Sequence, residues 1–339
     1  VALTGTPLIN QIEDFRMIWQ FLGWIDEKKP RGDLMAKLEA TGLSPADPGF
    51  FPAARKAVIS MGIVRRRKQD VAKDIPARRI ADIPIELDTE AARSIIDAER
   101  ALVSRLVERY DRVIAARGDS DRSVIDSDLV RLVCASEIEE TKQDDTGDNV
   151  FTLVRKIGSA KAVMAADYTA QLARNVGKVV FFAKHIDVLN QAEKHFAGVG
   201  ITTTSIRGDQ NTTQRQAAID AFTHDDDVKV IVCSLLAAGV GVNLQAASNV
   251  VLAELSWTSA EQTQAIDRVH RIGQELPVTA WRIVAAQTVD QRIAELIDQK
   301  SGLAARALDG EESDAGVEGT MQAAALIALL TAELEKRQA

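Results

Sequence analysis

Two arginines three residues apart, Arg268 and Arg271, stand in the run Gln264-Ala265-Ile266-Asp267-Arg268-Val269-His270-Arg271-Ile272-Gly273-Gln274. Read as a helix, that spacing puts both side chains on one face, because positions i and i+3 are neighbours. Paired guanidinium groups suit a place where negative charge builds up on a transferring phosphoryl group, where one such arginine is worth about 10³–10⁵ in rate. The bland alternative for this spacing is two surface arginines on a solvated helix. Gln264, Asp267, His270 and the Gly273-Gln274 pair crowd further polar groups into the same run and favour a built site. A second run, Ala238-Gly239-Val240-Gly241-Val242-Asn243-Leu244, follows the apolar stretch Val230-Ile231-Val232. Gly239 and Gly241 carry no Cβ, so backbone there could approach a ligand closely. An ordinary glycine turn after a strand is the competing reading.

Elements that could position these residues are legible from about 151 to 300. Short apolar or β-branched runs at Val179–Phe182, Ile201–Thr204, Val228–Val232, Val250–Leu252 and Thr279–Val284 read as strands. Helical patterns such as Asp187 to Phe196 and Gln214 to Phe222 separate most of them. The alternation predicts an α/β fold, a parallel sheet with helices on both faces. Ligands of such sheets bind beyond the carboxyl ends of the strands. The glycine run and the arginine run each follow a strand, so both are expected at that edge.

The remaining chain divides into three. Residues 1–87 read as the end of another α/β domain, with a helix from Asp14 to Trp24, a proline-rich loop over 26–53 and a strand from Ile80 to Leu87. Residues 88–150 read as two helices, Thr89 to Arg117 and Asp126 to Glu140, and a polar linker from Thr141 to Asn149. The tail, 301–339, carries a helix with Leu326, Leu329, Leu330 and Leu334 on one stripe, suited to bracing the domain or docking a partner.

Composition narrows the partners. The 339 residues suffice for about two domains, and 46% hydrophobic content is ordinary for a globular protein. No stretch reaches the roughly 20 apolar residues that span a bilayer. Two cysteines, Cys134 and Cys233, lack metal-ligand spacing and fit packing roles in a reducing interior. An intracellular location is expected, in cytoplasm, nucleoid or nucleus. A net charge of −8 argues against an overall basic footprint, so nucleic-acid contacts must come from local patches. Candidates are Arg65-Arg66-Arg67-Lys68 with Lys73, and Arg78-Arg79, each equally readable as a solvated face. The acidic runs Glu137-Ile138-Glu139-Glu140 and Asp225-Asp226-Asp227 are expected on exposed surface or loop.

The arginine run resembles the last motif of the SWI/SNF-type DNA translocases, a branch of helicase superfamily two. Other segments resemble that family in its own order. Leu3-Thr4-Gly5-Thr6-Pro7-Leu8-Ile9-Asn10 is similar to the third motif. Val64 to Val71 with Asp74-Ile75-Pro76 resembles the "RRxKxDV…LP" segment, and Ser234 to Leu244 the fifth motif. The resemblance covers about residues 1–300. It departs at Ala238-Gly239, where the family has Gly-Gly, and at Glu254-Leu255-Ser256-Trp257-Thr258-Ser259, where it has Asp-Pro-Trp-Trp-Asn-Pro. The second departure is nearer the annealing-helicase subgroup.

No G-x-x-x-x-G-K-[ST] phosphate loop occurs, and no DExH box follows an apolar strand. Together with the start at Val1, this suggests the C-terminal half of a motor, inactive as an ATPase alone. The resemblance then implies a RecA-like second lobe over 151–300, preceded by the end of a first RecA-like lobe and a helical protrusion.

By motif position, Arg268 and Arg271 would contact the γ-phosphate of ATP held, with Mg²⁺, mainly by the other lobe. Gln264 would set the motif against the nucleotide and Asp267 would orient an arginine. Gly239, Gly241 and Asn243 would link the nucleotide and DNA sites. Ser234 and Lys184, with Arg66 and Arg67, would hold phosphates of double-stranded or forked DNA. Thr4, Gly5, Thr6 and His270 would lie between the lobes. The implied activity is an ATP-dependent DNA translocase, in repair or remodelling. The alternatives are a non-catalytic DNA clamp and an RNA helicase of the same superfamily.

Overall fold

The computed structural model describes residues 19–26, 29–30, 32–42, 53, 56–57, 60–61, 75–117, 125–143, 149–235, 241–257, 259–309 and 321–338. Thr4, Gly5, Thr6, Arg66, Arg67 and Gly239, all assigned roles above, lie outside the described residues. The chain divides into two compact units, Val1–Asp74 with Lys300–Glu318, and Ile75–Gln299 with Gly319–Ala339.

In the first unit, strands β1 (Ile25–Asp26) and β2 (Lys29–Pro30) pair antiparallel, ahead of helix α1 (Gly32–Glu39). Ile25 and Leu34 are buried against Trp19, Trp24, Leu38 and Met61. The proline-containing stretch read as loop-rich thus also carries a short hairpin and a helix.

The second unit is a six-stranded, all-parallel sheet ordered β3-β8-β7-β4-β6-β5. Its strands are β3 (Arg78–Ile85), β4 (Val179–Ala183), β5 (Thr202–Ile206), β6 (Val228–Ser234), β7 (Asn249–Leu252) and β8 (Val278–Ala285). Central β4 is buried at every position, as strands covered on both faces must be. The edge strands are polar: β3 opens on Arg78-Arg79 and β5 reads Thr-Thr-Thr-Ser-Ile, which discourages pairing with a stray strand.

β3 corrects the boundary expected at residue 87. Ile80 to Leu87 read as the end of a preceding domain, yet β3 runs beside β8 from Arg78↔Val278 to Ile85↔Ala285. Its alternating half-buried positions gave the strand but not its partner, because a parallel pairing across about 200 residues leaves no local signal.

Helices cover both faces. Helix α4 (Val150–Val176) starts at a capping box, Asn149 accepting from the Phe151 and Thr152 amides, and stops at Gly177 with φ 88°. It lays Ala162, Ala165, Ala166, Ala170 and Ala173 beside α5 (Ile186–Gly198) over Phe181, Val230, Val232 and Val251. Phe182, Ile231, Cys233, Val250 and Leu252 on the other face meet Ala218 and Phe222 of α6 (Thr212–His224) and residues 242–247 and 265–269.

A helical layer joins α2 (Thr89–Arg117), α3 (Ser127–Gln143), the first turns of α4, α8 (Val289–Asp309) and α9 (Met321–Gln338) in one apolar core. Helices α2 and α3 thus share the core of this unit. The tail stripe, Leu326, Leu329, Leu330 and Leu334, is buried in the same core. The expectation of an exposed acidic run at 137–140 needs correcting at Glu137, which is buried and ion-paired to Arg105 and Arg109. Cys134 and Cys233 are free and buried, and burial pushes the Cys134 thiol up to about 12. No helix among the described residues is long and apolar enough to cross a membrane.

Candidate functional site

The arginine run does not form the helix its spacing suggests. Helix α7 (Ser259–Ile266) takes in only its first residues and stops ahead of Arg268, and the chain winds on through turns. The Arg268 and Val269 amides reach only to Ala265 O at 3.1 Å and Ile266 O at 3.0 Å, a tightened turn, and His270 N adds one last bond to Ile266 O at 2.9 Å. Gln264 and Asp267 therefore flank a helix end, while Arg268 and Arg271 belong to the turn after it.

The turn is held rigidly. Its Arg268 carbonyl accepts from the Leu244 amide at 2.9 Å, and Arg271 Nη1 donates to the Val242 carbonyl at 3.2 Å. Buried Gln274 donates through Nε2 to Ala247 O at 2.9 Å and accepts at Oε1 from the Glu275 and Leu276 amides. Gln245 Nε2 donates to Ile272 O at 2.7 Å. His270, buried, donates from Nε2 to the Pro76 carbonyl at 2.8 Å. The segment after the glycine run is thus bonded along its length to the arginine turn. Gly241 there has φ 54° and open space where a Cβ would stand, and Asn243 Oδ1 accepts from the Gln245 amide at 3.3 Å.

Electrostatically the turn carries excess positive charge. Burial, and then the like charge of Arg271, hold the Arg268 guanidinium below its ordinary value, with Asp267 opposing them. Asp267 pairs in turn with Arg78 at 3.4 Å. An anion brought to such a cluster relieves like-charge repulsion, and guanidinium forks match phosphate oxygens.

The expectation that both runs share the carboxyl edge is overturned. The turn is bonded to Pro76, ahead of β3, and to Ala247, ahead of β7, and it leads into β8. It therefore sits at the amino ends of the strands. Ser234, closing β6, and Lys184, just past β4, sit at the carboxyl ends. The physical reason is that α7 runs back along the sheet before the arginines are reached.

A second set of contacts, invisible in the sequence, occupies that carboxyl edge. Glu254, 2% exposed, accepts from the Lys184 amide at 2.7 Å, the His185 amide at 2.8 Å and His185 Nδ1 at 2.6 Å. Burial alone would raise the Glu254 carboxyl, but the His185 ring and these amides outweigh it and hold it low. Its stabilising contribution is thus full above the ordinary glutamate range and is lost as pH falls through the depressed folded value. Lys184 Nζ lies 6.0 Å from the Trp257 ring centroid, and burial depresses its ammonium against the pull of Glu261 and Glu254. At Gly158 of α4 a Cβ would stand 2.2 Å from Glu254 Oε1, so any larger residue forces that carboxylate to shift. Gly158→Ala is expected to cost about 1–3 kcal/mol, the usual range for overpacking. Urea unfolding measures this, and an unchanged midpoint would show that Glu254 moves aside freely. Among the described residues no group of three or more His, Cys, Asp or Glu side chains could hold a metal ion.

Known proteins resemble this chain in both sequence and fold. Residues 161–273 match the helicase conserved C-terminal domain. The chain is 29% identical over 310 residues to an uncharacterized ATP-dependent helicase of Mycoplasma genitalium, covering 91% of this chain and 28% of that protein. It is 26% identical over 317 residues to the mouse SWI/SNF-related matrix-associated actin-dependent regulator of chromatin subfamily A member 1, covering 88% of this chain and 28% of the relative. The chain thus spans about 28% of the length of these relatives. A solved structure, the C-terminal part of the Fun30 ATPase domain, shares the fold with TM-score 0.50 at 18% identity, over 77% of this chain and 99% of that one.

Proposed function

Given that this chain is a C-terminal region of the SNF2 type of helicase superfamily two, we propose that it is the second lobe of an ATP-dependent motor moving along double-stranded DNA. The observation that supports this reading best is the Arg268–Arg271 turn, a like-charged pair fastened by hydrogen bonds to the segment after the glycine run. Arg268 and Arg271 would hold the γ-phosphate of ATP, whose other contacts, with Mg²⁺, belong to a first lobe carrying a phosphate loop and an acidic box. Bound there, ATP supplies the phosphoryl bond whose hydrolysis drives motion. Gln264 and Asp267 would set the arginines, and Gly239, Gly241 and Asn243 would line the nucleotide side.

Ser234 and Lys184, with Arg66 and Arg67, would hold DNA phosphates, giving grip without base specificity. The glycine run joins Ser234 to Gly241 in sequence. A shift of the arginine turn would then pass along bonded backbone toward the DNA-facing end of β6. We further place the protein inside the cell, in repair or remodelling of DNA.

Because the sequence contains no phosphate loop, this chain alone is expected to show no ATP turnover. Joined to a lobe that carries that loop, it should hydrolyse ATP with strong stimulation by duplex DNA. A coupled phosphate-release assay with and without duplex decides the matter. Tight DNA binding without turnover in the joined protein would favour a non-catalytic clamp instead, and stimulation by duplex RNA alone would move the protein to the RNA branch.

A further inference from the structure

The contacts at the carboxyl edge fix the proton of a histidine that no motif above accounts for. His185 stands between β4 and α5, just past Lys184 and two residues past Ala183, which lies beside Ser234 in register. It heads α5, yet its side chain makes no capping bond to the helix amides. The ring turns instead to Glu254, whose Oε1 accepts from Nδ1 at 2.6 Å while Oε2 accepts from the Lys184 and His185 amides. Against its burial, these bonds hold the Glu254 carboxyl low, so it stands as the carboxylate. A carboxylate only accepts hydrogen bonds, so Nδ1 carries a proton in the neutral ring as well as in the charged one. Nε2 is then a bare acceptor when the ring is neutral and a donor only in the imidazolium. The His185 side chain is 26% exposed against 2% for Glu254. The ring edge away from Glu254 thus opens to solvent at the end of the sheet that carries Lys184 and Ser234.

The other charges around this junction have partners of their own. Asp187, in the first turn of α5, pairs with Arg155 of α4. Glu261 of α7 meets the Ser256 hydroxyl and, with Glu254, acts on the Lys184 ammonium, which lies near the Trp257 ring.

We propose that His185 is a phosphate-binding residue of the DNA-facing edge and that Glu254 positions it: the carboxylate keeps the Nδ1 proton in place, so the ring donates to a backbone phosphate only as the imidazolium. The grip of this edge on duplex DNA then tightens as pH falls through the histidine range. This rests on the assignment of Ser234 and Lys184 to DNA, and it adds a residue and a proton dependence to that site.

The test measures binding of a labelled DNA duplex to the protein joined to its phosphate-loop lobe, by fluorescence anisotropy at about pH 6 and about pH 8, either side of the histidine range. Wild type is expected to bind about fivefold tighter at the lower pH, the upper end for a partly exposed ion pair. Its salt dependence should steepen there by about 0.9 in slope, the mark of one more neutralised phosphate. His185→Ala should lose both changes and match wild type at the higher pH. Glu254→Gln is the diagnostic variant, because its amide can accept from the two backbone N–H groups and donate to Nδ1, which moves the neutral ring's proton to Nε2. The neutral ring then donates to phosphate as well, so the dependence on pH should shrink through a gain at the higher value. Nitrogen NMR should find the Nδ1–H tautomer of neutral His185 in wild type and the Nε2–H tautomer in Glu254→Gln, a change that loosening of the loop would not give. Wild-type binding that ignores pH, or a pH dependence that persists unchanged in His185→Ala, overturns the proposal. Lys184→Ala with Ser234→Ala is the control. If it binds DNA like wild type at both values, the edge is not the DNA site and the underlying reading has failed. If it binds more weakly while His185→Ala does not, that reading stands and this inference alone falls.

Discussion

Replacing Arg271 by alanine in the protein joined to its phosphate-loop lobe should lower DNA-stimulated ATP turnover by about 10³-fold or more, the range for an arginine that stabilises a transferring phosphoryl group. DNA affinity at fixed salt should stay near that of wild type, because Arg271 is bonded to Val242 at the amino ends of the strands while Ser234 and Lys184 lie at the carboxyl ends. Arg271→Lys should recover little, since an ammonium cannot both hold the Val242 carbonyl and present a planar fork to phosphate oxygens. The two readouts separate the possibilities. Loss of turnover with DNA binding intact places Arg271 at the nucleotide. Loss of both would mean that the variant disorders the 242–247 segment, which Gln274→Ala should then reproduce, because Gln274 grips the same segment through Ala247. Retained turnover would remove Arg271 from the chemistry altogether.

Much of the fold was legible because its signals are local. The runs at 179–182, 228–232 and 250–252 are apolar over lengths too short for a helix, and each is a strand of the sheet. The periodicity from Thr89 to Arg117 gave α2 to the residue. What stayed hidden depends on distance in sequence. β3 lies beside β8, Glu254 just past β7 accepts from the Lys184 and His185 amides ahead of α5, and Arg282 is gripped from both sides by Asp82 and Asp298. None of these pairings leaves a pattern within a window of residues.

The arginine turn failed differently. Arg-x-x-Arg spacing fits a helix face, but α7 stops at Ile266. The turn competes successfully because Leu244, Gln245 and Ala247 supply partners that a continued helix would forgo. The residue types alone pointed to phosphate chemistry, while the geometry presenting them comes from the neighbouring loop.

Stability should hinge on Lys161 and Asp290, a buried pair far apart in sequence. Lys161 is 1% exposed, and its Nζ donates to the Ile283 carbonyl and to Asp290 Oδ2, both at 2.6 Å. The same Asp290 oxygen accepts from the Ala285 amide at 3.0 Å, in the first turn of α8. One ion pair thereby fastens α4, β8 and α8 together. Asp290→Ala leaves a buried ammonium facing a single carbonyl, and losing one partner of such a pair costs about 3–5 kcal/mol. At about 2–4 °C per kcal/mol for a unit of this size, the melting point should fall by roughly 10 °C. Lys161→Met should cost less, because the stranded Asp290 keeps the Ala285 amide and lies at a helix amino end, where negative charge is favoured. The double variant Lys161→Met with Asp290→Leu should recover most of the loss, since an apolar pair of similar volume avoids desolvating either charge. Urea unfolding of the four proteins tests the order. Equal losses for the two single variants would mean that packing, not an orphaned charge, sets the cost. A double variant worse than either single one would mean that the bonds to Ile283 and Ala285 outweigh the desolvation they require.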